Sequence, residues 1–149
     1  MKLKRFFGEG EGAQALVEFA IVLPVLLLAI LGLLDLARAV AEENTLAFAA
    51  REGTRYAIVH GSSDPATAIP YCPGPPGCSN ATITNVVTTA AIGVPNITVV
   101  VGFPDSSNDR ERRVYVDASA PFVPLPSQYL LNGALTVTLR GGSMLVIQR

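Results

Sequence analysis

From Phe19 to Leu34 the chain reads sixteen residues without one charged side chain. Extended back to Ala15, the apolar stretch has twenty residues interrupted only by Glu18. At 1.5 Å of rise per residue, about twenty helical residues cross a hydrocarbon core of roughly 30 Å. The run therefore reads as a membrane span, over about 15–36. Lys2, Lys4 and Arg5 precede it, and only Arg38 soon follows. Orientation follows the excess of Lys and Arg, which places the N-terminus in the cytoplasm and the rest of the chain outside.

Composition agrees with a lipid-bound segment joined to at most one domain. Of 149 residues, half are hydrophobic and 15% charged, unusual for a purely soluble domain. A formal net charge of -1 supplies no field to hold nucleic acid. Two cysteines and one histidine cannot by themselves fill a four-ligand zinc site. No metal, cofactor or small-molecule substrate is expected, because no phosphate-cradling, nucleophile or metal-ligand motif occurs. His60, the single histidine, stands where a helix should end, and its expected role is to complement the helix dipole.

Three readings compete for the N-terminal segment. A secretory signal would use Ala39-Val40-Ala41 as its cleavage site, but the apolar run is long for that and helix-favouring sequence continues through the site. A plain uncleaved anchor needs only charge and length. A prepilin-like leader rests on Glu18. A carboxylate costs about 2.5–3.5 kcal/mol at the bilayer centre and less near the interface. Glu18 is then either an interfacial acid in contact with water or a counter-ion for an amine freed by cleavage a few residues upstream.

The segment Gly12-Ala13-Gln14-Ala15-Leu16-Val17-Glu18-Phe19-Ala20-Ile21-Val22-Leu23-Pro24 resembles the N-terminal signature of TadE-like proteins, from tight-adherence (Flp, type IV-like) pilus systems. The likeness continues through Leu31–Arg38 and Ala49–Ala57. It covers about the first 60 residues, whereas the strand-rich remainder is similar only in general plan. The resemblance implies a pseudopilin in the bacterial cytoplasmic membrane, cut by a prepilin peptidase and associated with other pseudopilins or pilus-assembly proteins. The family pattern places glycine before the cut and glutamate fifth after it. Glu18 is fifth if the cut follows Ala13 and sixth if it follows Gly12.

No Gly-Pro-Ser cluster appears between Gln14 and Val59, so one helix is expected over 14–60. Its first 46 residues would reach about 69 Å, of which about 39 Å projects beyond lipid as a stalk. Pro24 should kink it, having no amide to bond the Ala20 carbonyl. Ala37, Ala41, Thr45, Ala49, Gly53 and Ala57 form a row of small residues spaced by four, suited to close packing against this chain's own sheet or another subunit's helix. Alanine's helix propensity explains much of that row, but not Gly53.

Residues 61–81 form a Pro/Gly/Ser-rich loop in which Cys72 and Cys78 bracket Pro-Gly-Pro-Pro-Gly. Outside the cytoplasm two such cysteines are most simply a disulfide. A short helix is expected over Thr82–Ile92, closed by Gly93. Three alternating runs follow. Ile97, Val99, Val101 and Phe103 share one face; so do Val114, Val116, Ala118 and Ala120; so do Leu135, Val137 and Leu139. Period-two alternation marks antiparallel strands covered on one side. Gly141-Gly142 is read as a bulge. The fold class is α+β: a cytoplasmic leader over 1–13, a span-and-stalk helix over 14–60, the loop, and a pilin-like head over 82–149 with a three-stranded antiparallel sheet and a short helix.

The patch Asp109–Arg113 reads as a solvated hairpin rim, and Asp35, Glu42 and Glu43 as solvated helix charge. Two functions are consistent with all of this. One is a TadE-like minor pseudopilin, a structural component of pilus assembly or secretion and not an enzyme. The other is an uncleaved, single-pass extracytoplasmic binding module that displays its loop and hairpin.

Overall fold

The computed structural model describes residues 10–61, 69–71, 77–130 and 132–148. A single helix, α1 (Gly10–Val59), carries Pro24 in its interior. Its elements continue as α2 (Ala81–Ala90), β1 (Thr98–Gly102), β2 (Arg113–Phe122), α3 (Leu125–Leu130) and β3 (Val137–Val146). The three strands form one antiparallel sheet in the order β1-β2-β3. This is the expected α+β plan of a long helix and a small head.

Helix α1 has two environments. Along the apolar run from Leu16 to Leu34 no side chain is buried and nearly all the large ones are exposed; among the described residues of the head, Leu125, Pro126 and Tyr129 approach the run at Leu31. Farther out, Leu46, Ala49, Ala50, Gly53, Thr54 and Ala57 are buried under α2 and the sheet. The small-residue row is thereby divided. Ala49, Gly53 and Ala57 pack on this chain's own head, Thr45 is half-buried, and Ala37 and Ala41 stay open. A Cβ on Gly53 would lie 2.5 Å from Val87 Cγ2 on α2 and 3.3 Å from Val116 Cγ1 on β2. Glycine is the residue that allows α1 to seat this deeply.

The expected inner faces of β1 and β2 are observed: Val99, Val101, Phe103, Val114, Val116, Ala118 and Ala120 are all buried. Each buried valine or phenylalanine among them contributes about 1.5–3 kcal/mol. On β3 the inward parity is also as expected, with Leu139 packed against the core, but Leu135 and Val137 are exposed. Alternation sets which residues share a face; it does not supply a cover for both ends of that face.

The expected bulge at Gly141-Gly142 is absent. Both residues keep the regular register, opposite Ala118 and Asp117. Gly141 instead marks the tightest approach of β3 to α1: a Cβ there would sit 2.2 Å from the Ala47 backbone nitrogen. From that point β3 runs outward beside α1 until the Gln148 amide bonds the Ile58 carbonyl at 3.2 Å.

Helix α2 starts one residue earlier than expected, because Asn80 caps it by accepting from the Thr82 and Ile83 amides. Its C-cap is Ala91; Gly93 follows two residues later at φ +83° and turns the chain toward β1. The second short helix, α3, has no counterpart in the sequence reading. Gly77-Cys78 lies against the free edge of β1, where Cys78 and Val101 exchange two backbone hydrogen bonds of 2.8 Å. Cys72 is outside the described residues, so the expected Cys72–Cys78 bridge is as well.

Candidate functional site

The positions expected to carry function fall at separate heights along α1. Gly12 and Ala13 lie in its first turn. The first turn of a helix has amides without intrahelical partners and frays most readily. One turn further, Glu18 is exposed on the same helix surface as Gln14, Val17 and Ile21, which together line a shallow groove. Pro24 follows inside the exposed run. Among the described residues, no head element lines this groove.

Where the apolar run ends, α1 meets the head. Asp35 is buried, and its Oδ2 accepts the Leu125 amide at 2.8 Å. Its Oδ1 accepts from Arg38 Nη1 at 3.4 Å. Arg38 also pairs with Glu42 at 3.7 Å and lies 5.4 Å from the centre of the Phe122 ring. Asp35 is thus no solvated helix charge. It ties the base of the stalk to the first turn of α3, and Arg38 extends the tie to the end of β2. Beside this junction Arg38, Glu42, Asn96, Phe122 and Asn132 line an open cleft of about 520 Å³.

The opposite end of the head is charged. Arg113 donates to Asp105 through Nη2 at 2.6 Å and Nε at 3.1 Å, and its backbone amide adds a third bond at 2.8 Å. The Arg113 guanidinium and amide hold the Asp105 carboxyl down to about 2. Ser107 donates to Asp109, and Asn108 Nδ2 donates to the Ile69 carbonyl at 2.7 Å. The expected hairpin rim is therefore exposed but internally stapled. His60 stacks on Tyr56 at 4.0 Å, with Nδ1 2.9 Å from the Tyr56 carbonyl, at the C-terminal end of α1 where its dipole role was expected.

Together these features define a protein with a lipid-length helix at one end, a tied α+β head at the other, and a carboxylate on the bare part of the helix. Residues 13–55 match the model of the family described as TadE-like protein, as the resemblance in the sequence implies. No curated protein and no solved structure matches the chain. The matched segment ends within α1, yet it includes Asp35, Arg38 and Gly53, the residues by which α1 grips the head.

Proposed function

We propose that this protein is a TadE-like minor pseudopilin, a membrane-anchored structural component of a tight-adherence pilus assembly or secretion machine. The observation that supports it best is the place of the family match. It falls on one helix that is bare along a lipid-length apolar run and buried in a head along its outer turns. In this reading the helix anchors the chain in the bacterial cytoplasmic membrane with the head outside. The exposed Glu18 face meets other pseudopilins or pilus-assembly proteins, and a prepilin peptidase removes residues 1–12 or 1–13. The role is structural, not enzymatic. The Cys72–Cys78 bridge belongs to the same proposal. Closing so short a loop contributes roughly 2–3 kcal/mol in the chain-entropy model and would fasten the proline-rich loop to the β1 edge through Cys78.

Intact mass on protein from native membranes tests this. Loss of residues 1–12 or 1–13 is expected, together with alkylation of both thiols only after reduction. A Met1 start together with no cross-linked pilus components would leave an anchored binding module. A start at Glu42 would mean a secretory signal cut after Ala41.

A further inference from the structure

The two ends of the head differ sharply in charge. At the far end the β1–β2 loop contains Asp105, Asp109, Arg110, Glu111 and Arg112. At the near end, residues 91–97 and 123–137 contain no Asp, Glu, Lys, Arg or His. These two segments surround the base of the stalk. Gly93–Asn96 faces Arg38 across the cleft, and α3 is bonded to Asp35. Among the described residues, the four most exposed large apolar side chains of the head lie in these segments: Ile92 is 85% exposed, Tyr129 79%, Leu135 58% and Val137 52%.

Their height follows from α1. If the hydrocarbon core ends near Leu34, Arg38 stands about 6 Å beyond it. The polar layer on each side of a bilayer is roughly 5–7 Å thick. Leu125, Pro126 and Tyr129 reach lower still, forming with Leu31 an apolar notch of about 220 Å³. Leu31 belongs to the uncharged run itself. The near rim is thus continuous with the lipid-facing surface of α1 and occupies the depth at which aromatic side chains anchor membrane proteins.

We infer that the head does not stand clear of the membrane: its uncharged rim, led by Tyr129 and Ile92, is immersed in the outer headgroup layer of the bilayer. The Asp35–Leu125 bond fixes the angle between stalk and head at which this occurs. The inference rests on α1 spanning the membrane.

The chain has no tryptophan, so single Tyr129→Trp, Ile92→Trp, Leu27→Trp and Arg110→Trp variants of the full chain report depth without background. They are reconstituted in phosphatidylethanolamine/phosphatidylglycerol vesicles carrying a spin label near the headgroup or at the chain end. Tyr129→Trp and Ile92→Trp should emit to the blue of Arg110→Trp and lose more emission to the headgroup-proximal label than to the chain-end label. Leu27→Trp should be quenched by the chain-end label. The inference is overturned if Leu27→Trp is quenched by lipid labels while the two rim probes respond only to aqueous iodide. Blue-shifted rim probes untouched by any lipid label would also overturn it and assign the rim to a second protein surface. Absence of lipid quenching at Leu27→Trp would remove the membrane span, and this inference with it.

Discussion

The Asp35 carboxylate accepts the backbone amide of Leu125, a residue ninety positions away, at 2.8 Å. Helix α3 follows Phe122-Val123-Pro124, which offers no side chain able to cap it. The cap comes instead from α1, and one hydrogen bond serves both as helix initiation and as the tie between stalk and head. Replacing a capping side chain by alanine typically costs about 0.5–2 kcal/mol. Asp35→Ala should therefore speed amide exchange across Leu125–Leu130 by roughly 2- to 30-fold. Asp35→Asn, which keeps an acceptor oxygen, should speed it less. Equal exchange in the parent and in Asp35→Ala would remove the capping role.

Gly141 and Gly53 both let α1 approach the head, but the atoms in the way differ. At Gly141 an added Cβ meets backbone, 2.2 Å from Ala47 N and 2.5 Å from Leu46 C. At Gly53 it meets side-chain methyl groups of Val87 and Val116. Backbone cannot swing aside, so Gly141→Ala should destabilise by about 3 kcal/mol, the upper part of the overpacking range. Gly53→Ala should cost about 1 kcal/mol, because alanine's helix propensity offsets part of the clash. Unfolding of the head in detergent, followed by circular dichroism, ranks the two. A Gly141→Ala head as stable as the parent would contradict the close approach.

The Asp105–Arg113 staple has a defined pH window. The folded carboxyl titrates at about 2, below its ordinary value. Its contribution is therefore fully present above the ordinary aspartate range, near 3.9, and disappears as pH falls through about 2. Arg113→Gln should return Asp105 toward the ordinary range. Carboxyl chemical shifts of the full chain in micelles check this; an Asp105 that titrates ordinarily in the parent would show that no staple forms.

If Glu18 neutralises a subunit amine in the proposed pilus assembly, Glu18→Gln should leave insertion and cleavage intact while reducing recovery of the pilus complex at matched membrane levels. Removing one member of a buried ion pair typically costs about 3–5 kcal/mol, enough to abolish weak lateral association. Were Glu18 only an interfacial acid, glutamine would be neutral or would slightly favour insertion. Unchanged recovery would settle the matter in favour of that simpler role.

The lipid-length run, the inner faces of β1 and β2 and the likeness of the helix to TadE-like proteins were all legible in the sequence. Each is carried by periodicity or motif within a few turns of chain. Only the tertiary structure decided what meets α1. It turned Asp35 from a surface charge into a cap, and created α3, whose initiating group lies on another element. It made Gly141 a contact with α1 where the sequence suggested a bulge, and assigned Ala49, Gly53 and Ala57 to the head while leaving Ala37 and Ala41 open. The physical reason is range. Helical and strand periods are set by neighbours along the chain, whereas caps, close approaches and exposed rims depend on atoms brought together from distant positions.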